Sequence, residues 1–215
     1  MQDTQTVRAY PLWLTWANRP GRSIASALVV SLAVVGASLA LNGTSALGWR
    51  AATRHTAQVS FALFLLAFLA SSIARLWPGP LTRGLLARRR ALGLAFATAH
   101  LVHGAAILSL ARLDDLVFAP RVALYAGAFG FVLVIAMAAT SNDAAQRLLG
   151  GRGWRGLHRF GQIYLFAIFA VTYAGRVAAQ PAYWSAVFLL IAALAIRLAA
   201  PFQSRSLRSR TLPIE

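Results

Sequence analysis

Six apolar runs, each of about 16 to 21 residues, dominate this chain of 215 residues. A helix of that length crosses about 30 Å of hydrocarbon, because it rises about 1.5 Å per residue. The runs are 24–41, 57–74, 91–111, 122–140, 160–175 and 182–200, and arginines or turn residues separate them. The sequence therefore predicts an all-α integral membrane protein built as a bundle of six transmembrane helices. Residues 1–22 form an interfacial cytoplasmic segment in this interpretation, 23–201 the membrane domain and 202–215 a basic cytoplasmic tail.

The composition supports a membrane protein with no thiol chemistry. Hydrophobic residues make up 59% of the chain and the mean hydropathy is +0.63, above the level of soluble domains. The 21 basic residues are all arginine, against five acidic ones, and they lie between the apolar runs. That placement favours contact with anionic lipid over binding of nucleic acid. Cysteine is absent, so any redox role must use a bound cofactor.

Arginine placement predicts the orientation of the bundle. The loops after the second and fourth runs are rich in arginine, as are both ends of the chain, whereas the other loops hold few. Because arginine-rich loops stay in the cytoplasm, both termini are expected there, in a multi-pass protein of a bacterial inner membrane. Trp13, Trp16 and two prolines interrupt the first 22 residues, so no cleavable signal peptide is expected.

Two histidines one turn apart, His100 and His103, lie inside the third run. An imidazole in hydrocarbon must be hydrogen-bonded, protonated at a cost of a few kcal/mol, or bound to a metal, so the pair is a functional-site candidate. Gly93, Ala97 and Gly104 continue the same helix face. These small side chains predict a shallow groove that could admit a flat macrocycle.

A further histidine, His158, lies at the start of the fifth run between Arg155 and Arg159. The two arginines could neutralise haem propionates or lipid headgroups. The alternative is a hydrated imidazole in a basic interfacial loop, and the same interpretation applies to His55 at the edge of the second run.

Two motifs carry a resemblance to a known family. The stretches RRALGLAFATAHLVHG (89–104) and TSNDAAQRLLGGRGWRGLHR (140–159) resemble the ferric reductase-like transmembrane domain family. Within it they are most similar to the haem b membrane subunits that feed electrons to a periplasmic methionine sulfoxide reductase. The similarity extends over about residues 54–176. It implies haem b, His103 and His158 as iron ligands, and a cofactor environment that includes His100, Arg90, Arg155 and Arg159.

The chain departs from the family pattern at one ligand. Val171 stands where the family has another histidine on the fifth run, and its neighbours are Thr172 and Tyr173. His103 lies roughly 20 Å along its helix from Arg90, whereas His158 lies roughly 5 Å from Arg155, so helices that begin level cannot bring both to one iron. Three alternatives stay open. Haem binds His103, or His100 after a shift, with a sixth position open or filled by another residue; His55 reaches inward; or haem has been lost.

Two functions follow as hypotheses. The first is a cytochrome b-like subunit that moves electrons across the plasma membrane to an outer-face acceptor, with a separate flavin or quinone donor and a periplasmic acceptor protein. The second is a haem-free scaffold or accessory subunit that keeps the fold without the redox chemistry. A small transporter is disfavoured because charged intramembrane residues, broken helices and an inverted repeat are not evident.

Overall fold

Seven α-helices make up the part of the chain that the computed structural model describes, residues 20–113 and 121–210, with side chains described to residue 201. They are α1 (Pro20–Asn42), α2 (Ala46–Leu76), α3 (Pro80–Ala87), α4 (Arg89–Leu113), α5 (Arg121–Ala139), α6 (Asp143–Ala174) and α7 (Trp184–Arg210). A 3₁₀ turn, Pro181–Tyr183, leads into α7. These residues contain no strand, which confirms the predicted all-α class.

Five of the helices are long and apolar enough to cross a membrane. They are α1, α2, α4, α5 and the segment Pro181–Pro201 that contains most of α7. The fifth predicted run lies in α6, which has 32 residues but is less apolar because Gln162, Tyr164 and Thr172 interrupt it. The structure thus supports five spans by length and composition, and the sixth stays a prediction.

The helices extend beyond the apolar runs that predicted them. Arg50 and Arg54 lie within α2, and the glycine-rich segment expected to connect two runs is the first part of α6. Arginine is a good helix former, and a helix continuing above the hydrocarbon satisfies its own backbone groups. The backbone of α7 likewise continues to residue 210, into the predicted tail. The predicted loop at Asp114 and Asp115 and most of the N-terminal segment lie outside the described residues.

An aromatic core joins α2, α4 and α6. The Phe64 ring lies 5.4 Å from that of Phe96 on α4 and 5.2 Å from that of Phe169 on α6. Tyr164 ties α6 to α5, because its hydroxyl donates to the carbonyl of Ala126 at 2.9 Å. The bundle therefore buries large rings at its centre, while apolar side chains such as Val29 are exposed on its surface, as lipid contact requires.

The start of α4 and the start of α6 lie at the same end of the bundle. Arg90 donates through Nε to the carbonyl of Ser141 (2.7 Å) and through Nη1 to Asp143 (2.9 Å). Asp143 is the only acidic side chain among the described residues. This ion pair holds together the two arginine-rich connections that precede α4 and α6. We call this the inner end, because it holds the arginine-rich connections that the sequence predicts to be cytoplasmic.

Candidate functional site

The histidine pair on α4 faces two hydroxyl groups of α2. The Nδ1 atom of His103 lies 3.2 Å from Thr56 Oγ1, and the Nδ1 atom of His100 lies 3.3 Å from Ser60 Oγ. Thr56 and Ser60 are four residues apart, so both hydroxyls lie on one face of α2. Each predicted ligand thus has a defined partner across the α2–α4 interface.

The hydroxyls determine which nitrogen of each ring carries the proton. A hydroxyl has one hydrogen to donate, and Thr56 donates it to the carbonyl of Ala52 at 2.7 Å. Thr56 is therefore the acceptor for His103 Nδ1–H, which leaves the Nε2 lone pair of His103 available. Ser60 donates to the carbonyl of Ala57 (3.1 Å) and sets His100 in the same way. An imidazole that donates one N–H to a fixed acceptor is the usual form of a metal-binding histidine.

Phe131 of α5 fills the groove beside this pair. Its ring stacks on His100 with centroids 4.6 Å apart, and the His103 ring is 6.4 Å away. At Gly104, a Cβ atom would come within 2.8 Å of the Phe131 ring. The groove predicted from the small residues of α4 is therefore occupied at Gly104 by an aromatic side chain, and a macrocycle beside His103 requires that ring to move.

The open part of the groove lies nearer the inner end. A cavity of about 190 Å³ opens there, and an apolar slot of about 60 Å³ continues it between α2, α4, α5 and α6. Both are lined by Gly93, His158 and Gln162, and a Cβ atom added at Gly93 would meet nothing within 4 Å. The slot walls are apolar and include Phe64, Phe96, Ala97, Val134, Met137 and Leu165.

His158 is fixed in the wall of this cavity by the turn that precedes it. Its Nδ1–H donates to the carbonyl of Trp154 at 3.1 Å, and the Trp154 indole stacks on the imidazole at 4.1 Å. Trp154 in turn donates through Nε1 to the carbonyl of Thr140 at 2.9 Å. Partial burial lowers the pKa of His158, which favours the neutral ring. Its Nε2 atom lies 3.5 Å from the Oγ atom of Ser141, which lines the same cavity.

The basic residues expected around a cofactor divide into two groups. Arg90, with its neighbour Arg89, lines the inner cavity, although the Arg90 guanidinium also bonds Asp143 and the Ser141 carbonyl. Arg155 and Arg159 are exposed on α6 and do not line that cavity. His103 and His158 are not brought together: His103 contacts Thr56 and His158 contacts Trp154 nearer the inner end.

Position 171 does not face the interior of the bundle. Val171 is 74% exposed on the outer half of α6, whereas Tyr173 is 5% exposed and packs against Phe61 with ring centroids 4.7 Å apart. A histidine at residue 171 would point toward lipid in this packing. Tyr173 lies inward instead, and its hydroxyl is buried with no hydrogen-bond partner.

His55 lies at the opposite, outer end of the bundle. It is exposed, and its Nδ1–H donates to Ser38 Oγ at 3.1 Å, since the Ser38 hydroxyl donates to the carbonyl of Val34. It lines an outer cavity of about 520 Å³ together with Tyr173. The expected interfacial location fits this exposure, and His55 is separate from the inner cavity.

Sequence reasoning missed the polar partners of the histidines. Thr56 lies just before the second apolar run and Ser60 lies inside it, four residues later. That spacing could have predicted a polar stripe on one helix face. The role of Gln162 could not be predicted from the sequence, because it depends on the rotation of α6 about its axis.

Among the described residues no three histidine, cysteine or acidic side chains are close enough to hold a metal ion by themselves. Haem iron needs only one or two protein ligands, since the macrocycle supplies four.

A curated relative supports the predicted resemblance. The chain is 40% identical over 123 residues to the protein-methionine-sulfoxide reductase heme-binding subunit MsrQ of Cronobacter sakazakii. The match covers 54% of this chain and 58% of the relative, so the chain spans somewhat more than half of that protein's length. No family model and no solved structure matches the chain. The similarity to this haem-binding subunit, expected from the two motifs, is confirmed.

Proposed function

We propose that the protein is a haem-binding electron-transfer subunit of a bacterial inner membrane, with six spans and both termini in the cytoplasm. The observation that carries the proposal is the imidazole of His158. It lies in the wall of an inner cavity, its Nδ1–H is committed to the Trp154 carbonyl, and its Nε2 atom lies 3.5 Å from Ser141 Oγ, a contact that an iron ligand would have to leave. The similarity to a heme-binding subunit supports the same cofactor.

The inner cavity has the donor chemistry that haem b needs. His158 offers an imidazole next to Ser141 Oγ, and the slot offers apolar walls beside the bare face of Gly93. Because the slot holds only about 60 Å³, its walls would have to move apart to admit a macrocycle. Arg89 and Arg90 at the rim are suited to anionic propionates. Bound haem would supply a one-electron carrier, while the chain's own residues hold it, exclude water from the slot and fix the ring nitrogen.

A second ligand at greater depth is His103. Thr56 accepts from its Nδ1–H, which leaves Nε2 to face a ligand, and the Phe131 ring would have to turn aside for a macrocycle to reach it. His100 is the alternative ligand one turn away. Two carriers at two depths would shorten each electron step across the bilayer, and they agree with the separation of His103 from His158.

The remaining assignments concern partners. A separate flavin or quinone donor is proposed at the inner side and a periplasmic protein as the acceptor. Arg155 and Arg159, exposed near the level of His158, are proposed to bind lipid phosphate or the outer edge of the propionates. These side chains would then anchor α6 at the inner interface.

The test is a reduced-minus-oxidised absorbance spectrum of the purified full-length protein, with haem per chain measured. A b-type spectrum is expected, and His158→Ala should remove a distinct fraction of the pigment. His103→Ala should remove a second fraction or shift its spectrum, whereas the exposed His55→Ala serves as the matched control and should change neither. Absence of pigment from the unmutated protein, produced with ample haem, would overturn the proposal and favour the haem-free scaffold.

A further inference from the structure

One arginine of the last helix lies inside a predicted membrane span, so the expectation that no charged residue lies within the membrane was wrong at this position. Arg197 is in the segment Pro181–Pro201, near its inner end, and is partly buried. Its Nη1 donates to the backbone carbonyl of Phe68 at 2.6 Å, and its guanidinium lies 4.1 Å from the centroid of the Phe68 ring. A charged side chain at such a position costs several kcal/mol unless it is paired, so it marks a functional candidate.

Arg197 is linked to the inner cavity by one side chain. Its Nη2 donates to Oε1 of Gln162 at 3.2 Å, and Gln162 lines both the inner cavity and the apolar slot together with His158. Because Oε1 faces the arginine, the amide group of Gln162 keeps its two N–H donors for other partners. The part of the cavity wall formed by Gln162 therefore lies next to a positive charge, as the rim with Arg89 and Arg90 does.

We propose that Arg197 is a positioning residue for the carrier held by His158. It orients Gln162 as a donor in the cavity wall and places a fixed positive charge next to the slot. This inference rests on the proposed function. When the carrier accepts one electron from its donor, it gains one negative charge, and a nearby cation stabilises that reduced state. The reduction potential is therefore higher with Arg197 than without it.

The location makes this charge more effective than the exposed arginines at the rim. Salt and water screen exposed charges, whereas a partly buried charge is screened much less. At an effective dielectric constant of about 20, a unit charge about 10 Å away shifts an equilibrium roughly tenfold. We expect an effect of that order on the ratio of reduced to oxidised carrier at a fixed applied potential.

The experiment is a spectroscopic redox titration of the purified full-length protein and four variants. Arg197→Met removes the charge and both donors, and Arg197→Lys keeps the charge but loses the planar fork. Gln162→Glu leaves Arg197 in place and neutralises it with a carboxylate. Arg121→Met, an exposed arginine at the outer end of α5, is the control for the same change in net charge.

We expect a lower reduction potential in Arg197→Met and in Gln162→Glu. In Arg197→Lys and Arg121→Met the potential should stay near the unmutated value. A purely structural role predicts that Arg197→Lys lowers the potential as much as Arg197→Met does, because lysine also lacks the planar guanidinium. Equal potentials in all variants would overturn the inference while leaving the proposed function intact. If Arg197→Met does not fold, Arg197→Gln, which removes the charge but keeps a polar side chain, takes its place in the comparison. An unmutated protein without haem overturns the proposed function and this inference with it.

Discussion

At the scale of single residues, hydroxyl groups decide how the intramembrane histidines are used. Thr56 and Ser60 each give their one hydrogen to a carbonyl of their own helix and so can only accept from the imidazoles. The cost of burying an imidazole N–H is offset by that hydrogen bond. Replacing such a hydroxyl should therefore affect the histidine more than the helix that carries it.

Thr56→Val is expected to destabilise the protein by about 1 kcal/mol, because it removes one of two acceptors beside the His103 ring and leaves only the Thr53 carbonyl. The matched control is Thr53→Val, one turn earlier on α2, where the threonine hydroxyl is buried with no hydrogen-bond partner. Removing that hydroxyl should be neutral or stabilising. Thermal unfolding of the two variants in detergent measures the difference, and equal melting temperatures would contradict the assigned hydrogen bond.

At the scale of elements, α6 is shaped by one glycine. Gly150 has φ 67° and ψ 158°, a conformation that side chains other than hydrogen strongly disfavour, and the helix resumes beyond it. Asn142 caps the first turn by accepting from the Ala145 N–H at 2.7 Å. The break lets the second part of α6 carry Trp154 and His158 against the end of α5, so the inner cavity depends on this turn.

Gly150→Ala is expected to cost about 1–3 kcal/mol, because alanine at this φ and ψ is strained. Gly156→Ala is the matched control: this glycine lies in the regular helix, and a Cβ atom there meets nothing within 4 Å. Alanine should stabilise that position by up to about 1 kcal/mol. Denaturation midpoints in mixed micelles distinguish the two, and a stabilising Gly150→Ala would show that α6 runs straight in solution.

At the scale of the whole molecule, the ends of the bundle have different chemistry. The inner end gathers Arg89, Arg90 and His158, while the outer end holds His55 and the inward-facing Tyr173. The proposed electron transfer from the inner to the outer end requires that the bundle cross the membrane with the predicted polarity.

Reporter fusions test the polarity. Reporters active in the cytoplasm should work after Gly79 and Gly151, and reporters active in the periplasm should work after Gly43 and Gln180. The reason is that arginine-rich connections resist translocation. Cytoplasmic activity after Gln180 would show that α6 does not cross, leaving five spans, and cytoplasmic activity after Gly43 would invert the orientation.

The sequence by itself determined the class of protein and the candidate ligands. Apolar length, arginine placement and the cost of an intramembrane imidazole are local properties, so they predicted the helices and marked the pair His100 and His103. The ligand roles of His103 and His158 came from the resemblance of two motifs to a known family. The span boundaries were less exact, because helices continue past the hydrocarbon wherever the chain favours them, as at Arg54.

Only the tertiary structure decided which of those residues meet a cavity. The direction in which a side chain points depends on the rotation of its helix about the helix axis. Packing between helices determines that rotation, and it cannot be predicted from hydropathy. That rotation turns Val171 outward and Tyr173 inward, places Phe131 in the groove beside His103, and brings Gln162 between His158 and Arg197. The inner cavity therefore exists because residues distant in sequence share one depth and face one another.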